Sequence, residues 1–175
     1  MTTIITPDTS RTYDTGSGGN FEARELPWSP GAVAWNGARS KAYRFVLAED
    51  AAIVAGDAVC FTTDGDLNRF EVSNDRSGGS AVNDLPAGVA LVDIPDGHYG
   101  WVQCRGLGEV DIVTDGGVAQ GDELMSHAST DGGVDTNSGV SADSFGVALV
   151  ADTGSVLAAG EYRLECPVDE PVLIA

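Results

Sequence analysis

Lysine is all but missing from this chain: Lys41 stands alone beside eight arginines, and histidine occurs only as His98 and His127. Neutralising a nucleic-acid backbone takes grouped Lys and Arg, and the basic residues here are scattered, so a nucleic-acid partner is not expected. No stretch supplies the run of about 18 apolar residues that a membrane helix needs. The opening MTTIITPDTS also lacks the basic-then-apolar order of a signal peptide. A chain made and kept soluble, with no membrane partner, is the expectation. Cys60, Cys104 and Cys166 are odd in number, widely spaced and without a CxxC pair. Their flanks VCF, VQC and LEC are strand-like, which predicts buried thiols; a disulfide between two of them stays open, and a zinc site is not expected.

Signatures of chemistry are scarce as well. The serines never occur as GxSxG, and the nearest string, TGSGG, does not lie between a strand and a helix. There is no GxGxxG opening a helix and no phosphate loop. DGDLN at 64–68 starts like a calcium loop, but its glycine comes second and no glutamate closes the pattern. His98 in DGHYG and His127 in MSHAS read as exposed loop histidines with no metal-ligand spacing to other residues. No catalytic, cofactor-binding or metal-ligating residue is assigned, no cofactor is called for, and the chain is expected not to be an enzyme.

What is abundant is acid. Twenty-seven acidic residues against nine basic ones leave a net charge of −18 on 175 residues, with Asp outnumbering Glu 18 to 9. The acids run through the whole chain with no block of five, so they form a solvated coat rather than a tail. Such a charge repels itself in dilute buffer and is tolerated where salt screens over a few ångströms, the balance of a halophilic protein. Hydrophobic residues still make up 42%, enough for a packed core.

The length suits one domain with an arm rather than two domains. Residues 1–30 mix Thr, Ser, Gly and Pro with spaced apolar residues and read as an extended N-terminal arm; 31–175 read as the folded body. Along and just beyond the arm, Ile4, Ile5, Tyr13, Phe21, Leu26, Trp28 and Trp35 are candidate contact residues, because large apolar side chains are costly to leave in water. From residue 42 onward, short apolar runs alternate with Gly, Asp and Asn clusters, the spacing of strands and turns. Strands are predicted at 42–47, 58–62, 70–72, 88–93, 99–105, 109–113, 123–126, 145–151 and 161–165. The one weak helical stretch, 49–53, reads as a turn. The fold class is therefore all-β.

The chain also echoes itself. AGDAV at 55–59 resembles QGDEL at 120–124, AGVALVDI at 87–94 resembles FGVALVAD at 145–152, and YGWVQC at 99–104 resembles YRLEC at 162–166, all at spacings of about 60 residues. Two copies of a unit made of a strand, a GD turn, a second strand, a GVA strand and a hairpin are predicted, closing together into one small barrel or sandwich.

The string AGVALVDIPDGHYGWVQCRGLGEVDIVTDGGVAQGDEL, with FGVALVAD and EYRLEC, resembles the capsid decoration (cement) proteins of tailed phages over roughly residues 53–166. The resemblance implies a small barrel or β-tulip-like domain, often a homotrimer, on the outer capsid surface of the virion. There it would clamp neighbouring copies of the major capsid protein, its partner. Joined to the salt signature, it implies a tailed virus of haloarchaea. The arm here is longer than the leaders of that family, and 68–86 is more polar. The competing expectation is an adhesion or fibre module of a virion or cell surface.

Overall fold

The computed structural model describes residues 8–14, 26–36, 38–49, 51–62, 70–75, 82–127, 129–136 and 144–167. All the regular structure in them is β. In chain order the strands are β1 (Tyr13–Asp14), β2 (Val33–Trp35), β3 (Ala42–Ala48), β4 (Ala58–Thr62), β5 (Glu71–Ser73), β6 (Val82–Ala90) and β7 (His98–Leu107). They continue with β8 (Ile112–Val113), β9 (Glu123–Ser126), β10 (Val134–Thr136), β11 (Gly146–Ala148), β12 (Val156–Leu157) and β13 (Tyr162–Glu165).

The most apolar strands sit where they are covered on both faces. All seven residues of β3, AYRFVLA, are buried, so its two alternating sets pack into two different clusters. Val46 and Ala48 face inward with Val59, Phe61, Val72, Ala87, Ala90 and Val102. Tyr43, Phe45 and Leu47 join Tyr99 and Trp101 on the other side. β7 pairs antiparallel with β3 over most of its length, from Ala42↔Arg105 to Leu47↔Tyr99. The path β7-β6-β4-β5-β3 then returns to β7, closing a five-stranded barrel whose β3–β5 step alone is parallel. Closure removes the free edges that an open sheet would expose. Inside, the Arg44 guanidinium lies 5.3 Å from the centre of the Phe61 ring and donates to the Pro167 carbonyl at 2.8 Å.

The internal repeat is real and can be followed bond by bond. Ile53 and Ile94 exchange backbone hydrogen bonds, and Asp152 N–H donates to the Val118 carbonyl at the matching place. Gly56 donates to Ala90, and Gly121 to Ala148, each at 2.9 Å. The Asp57 carboxylate accepts the Val54 N–H at 2.8 Å and the Asp122 carboxylate accepts that of Ala119 at 2.9 Å. Val59 lies opposite Gly88 as Leu124 lies opposite Gly146. Both glycines are required by close approach: a Cβ on Gly88 would stand 2.5 Å from the Gln103 carbonyl oxygen, and one on Gly146 would strike that of Arg163.

That last pair corrects one of the three echoes. Val89 faces Gln103 and Val147 faces Arg163, so Gln103 and Arg163 are equivalent, and Tyr162 occupies the place of Val102 rather than that of Tyr99. On this register Arg105 corresponds to Glu165, and these two residues face each other across β7 and β13. An approximate two-fold axis therefore passes between them, with β9-β11-β13 on one side and β7-β6-β4 on the other. The two copies do not close together as expected: the first closes with β3 and β5, while the second extends the sheet outward and ends on β10. A third apolar cluster fills the seam, from Cys60, Val89 and Cys104 to Ile112, Leu124, Phe145, Tyr162 and Leu164.

Candidate functional site

The outer face of β3 and β7 is a plate of aromatic rings. Phe45 stacks on Tyr99 with ring centres 5.2 Å apart and planes at 20°, and it touches Trp101 at 5.1 Å. Strand alternation creates the plate: Tyr43, Phe45 and Leu47 share one side of β3, and Tyr99 and Trp101 share one side of β7.

What covers the plate comes from the N-terminal residues. β1 adds to β7 with Tyr13 opposite Tyr99 and Asp14 opposite His98. Tyr13 meets the Phe45 ring edge-on at 5.7 Å, and Trp28 meets Trp101 edge-on at 5.6 Å. Leu26 packs on the same cluster. Burying side chains of this size contributes about 1.5–3 kcal/mol each, and favourable edge-to-face pairs add about 0.5–1.5 kcal/mol. The body receives the next residues through Gly31, whose N–H donates to the Phe45 carbonyl at 2.8 Å. Across the strand pair the Asp14 carboxylate lies 4.0 Å from Nε2 of His98, and the Trp101 indole N–H is buried without an acceptor among the described residues.

The candidate contact residues thus divide. Tyr13, Leu26 and Trp28 are gathered on the chain's own barrel. Trp35, on β2, is half-buried against the seam cluster instead. Ile4, Ile5 and Phe21 lie outside the described residues. The surface that receives the arm, Tyr43, Phe45, Tyr99 and Trp101, was not singled out from sequence. Its signal was the period-two placement of large aromatics on strands apolar on both faces, which first reads as ordinary core.

Beside the plate, the single lysine is engaged: Lys41 Nζ lies 2.6 Å from Glu109 Oε1, which also accepts the Tyr43 hydroxyl at 3.1 Å. Burial and the Glu109 carboxylate push the Tyr43 phenol up to about 12. The three cysteines are buried, and none is in a disulfide. Burial pushes Cys104 up to about 11 and holds Cys166 well above the ordinary thiol range, with Cys104 and Cys60 close enough to add to it. His98 is half-exposed, its Nδ1 3.0 Å from the Asp96 carbonyl. His127 departs from expectation: it is only 8% exposed, and its N–H donates to the Gly133 carbonyl at 2.9 Å.

No protein-family model and no curated protein matches the chain. Among solved structures, the chain is similar to the one described as the head fiber gp8.5 N base in bacteriophage phi29. The two share 19% identity and a TM-score of 0.44 over 74% of this chain and 96% of that one.

Proposed function

We propose that this chain is a structural virion protein that decorates the outer capsid surface of a tailed virus of haloarchaea. Its homotrimers would clamp neighbouring major capsid proteins. The observation that carries the reading is the arm: a two-residue strand added to β7 and three apolar side chains laid on an aromatic plate. Here the arm is seated on its own barrel; strand addition with side-chain anchors also fastens one protein body to another, since backbone bonds supply affinity and pockets supply specificity, and the seated arm offers such a surface to a neighbour. The barrel gives such an arm a rigid seat, and the acidic coat keeps it hydrated in molar salt. The sequence resemblance to decoration proteins points the same way, and closed symmetric oligomers are the usual form of such assemblies.

Purified protein added in molar KCl to particles stripped of it is expected to rebind to saturation at a fixed ratio to the major capsid protein. A Tyr13→Ala/Trp28→Ala variant that keeps its β circular-dichroism spectrum is expected to rebind at least about tenfold more weakly, given the apolar area removed. Absence of saturable binding by the unaltered chain contradicts the proposal.

A further inference from the structure

Three donor groups from the stretch 115–135 meet at the outer end of the second copy. Asp115 follows Thr114, which bridges in parallel to Val134, and its N–H donates to the Val134 carbonyl at 3.2 Å. His127 follows β9 and donates its N–H to the Gly133 carbonyl at 2.9 Å. Asp135 stands on β10 opposite Met125. One carboxylate oxygen from each aspartate and one ring nitrogen all lie within 4.8 Å of one another.

The geometry points to a divalent transition-metal site, and we propose that Asp115, His127 and Asp135 bind one ion of the zinc or manganese class. The imidazole is the observation that goes beyond a pair of acids. Its side chain is 9% exposed, and Nε2 is directed at Asp115 Oδ2, 3.3 Å away. Among the described residues that nitrogen has no acceptor apart from a carboxylate that would itself become a ligand. Two carboxylates converge on it in a chain of net charge −18, and among the described residues no lysine or arginine pairs with either. Donors held about 2.0–2.2 Å from one ion stand roughly 3–4 Å apart, so small side-chain rotations close the site. One imidazole with two carboxylates suits zinc or manganese better than calcium, which takes oxygen donors only.

The ring proton can be followed. Nδ1 accepts the Ser129 N–H at 3.1 Å, so the neutral ring carries its proton on Nε2. Loading moves that proton to Nδ1, which gives up the bond it accepts from the Ser129 N–H and turns to the Ser129 hydroxyl oxygen, 3.5 Å away, as acceptor. Nε2 then gives its lone pair to the metal, and Ser129 becomes the outer partner that orients the ring. The ion would pin the 114–115 turn, the end of β9 and β10 together, at the open margin of the sheet.

The test is calorimetry on the chelator-treated full-length chain in molar KCl with Zn²⁺ and with Mn²⁺. His127 ring resonances are followed by NMR alongside. One ion per chain is expected, with shifted or broadened His127 signals and a raised melting temperature. The near-isosteric Asp135→Asn should weaken binding at least tenfold, and Ser129→Ala should weaken it less. Uptake equal in the unaltered chain and in an Asp115→Asn/Asp135→Asn variant, with His127 signals unmoved, overturns the proposal: the acids would then be only part of the general coat.

Discussion

The two copies of the repeat begin alike and end differently. In each, a glycine donates to an alanine carbonyl, an aspartate caps the turn three residues back, and a glycine lets the next strand approach a carbonyl too closely for any side chain. The first copy is then enclosed, because β3 offers β7 six opposed residues and β5 bridges β3 to β4. The second copy has nothing comparable. β11 is three residues long, β13 is four, and the sheet stops at the three residues of β10. The turn chemistry shapes the unit, but closure depends on what the rest of the chain places beside it.

The comparison breaks most sharply at the paired glycines. Gly88→Ala and Gly146→Ala each force a Cβ against a backbone carbonyl, at a cost of about 2–4 kcal/mol. In the closed barrel the strain has nowhere to go, so Gly88→Ala should lower the global melting temperature. In the open copy the strands can part. Gly146→Ala should chiefly speed hydrogen exchange in β11 and β13 while the barrel stays protected. Equal, global effects of the two would show that the copies unfold as one unit.

The turn aspartates give a smaller contrast. Asp57 accepts the Val54 N–H and also the Asn74 amide at 2.7 Å, whereas the bond shown for Asp122 is from Ala119. Asp57→Ala should cost about 3 kcal/mol and Asp122→Ala about 1.5 kcal/mol in thermal or denaturant unfolding, the two ends of the range for hydrogen bonds to charged groups. Burial raises the Asp57 carboxyl above its ordinary value, with Asp131 and Asp93 adding to it and the two hydrogen bonds opposing. A folded-state value above the unfolded one gives stability that is full at low pH and fades as pH rises through the folded value. The stability lost in Asp57→Asn should therefore shrink between pH 3 and pH 7; a gap that widens would reverse the assignment.

The seam has its own limit at alkaline pH. Burial raises Cys104 from 9.0 to about 11, and it also raises Cys166 and the Tyr162 phenol, whose hydroxyl donates to the Val110 carbonyl at 2.8 Å. These groups stay neutral in the fold and ionise sooner when unfolded, so stability falls as pH rises above about 9. Cys104→Ala and Cys166→Ala should each flatten that decline in melting temperature, with no change at pH 7 beyond the loss of packing.

These contrasts also explain what could be read in the residues beforehand. Runs such as AYRFVLA, AVCFT and HYGWVQCRGL declare strands through β-branched and aromatic content, and the structure places strands there. β1, β2, β10 and β12 are two or three residues long and take their strand character from a neighbour's edge, which no local pattern carries. The front of β6 hid behind VNDLP; Pro86 lacks an N–H, and the ladder with β4 slips beside it at Cys60. Two echoes matched in structure because they record turns and close approaches. The third matched tyrosine with tyrosine and slid three residues, since backbone register ignores side-chain likeness. The arm's aromatic seat depends on contacts between distant segments, and His127 meets Gly133 and Asp115 across turns, which periodicity cannot show.

The most direct test of the decoration role is a cryo-EM map of purified virus particles at a resolution that traces strands. The account predicts this barrel on the outside of the shell, three copies around each local three-fold position, bridging adjacent major capsid proteins. Particles whose outer surface lacks that density, with the chain absent from them by mass spectrometry, would contradict it.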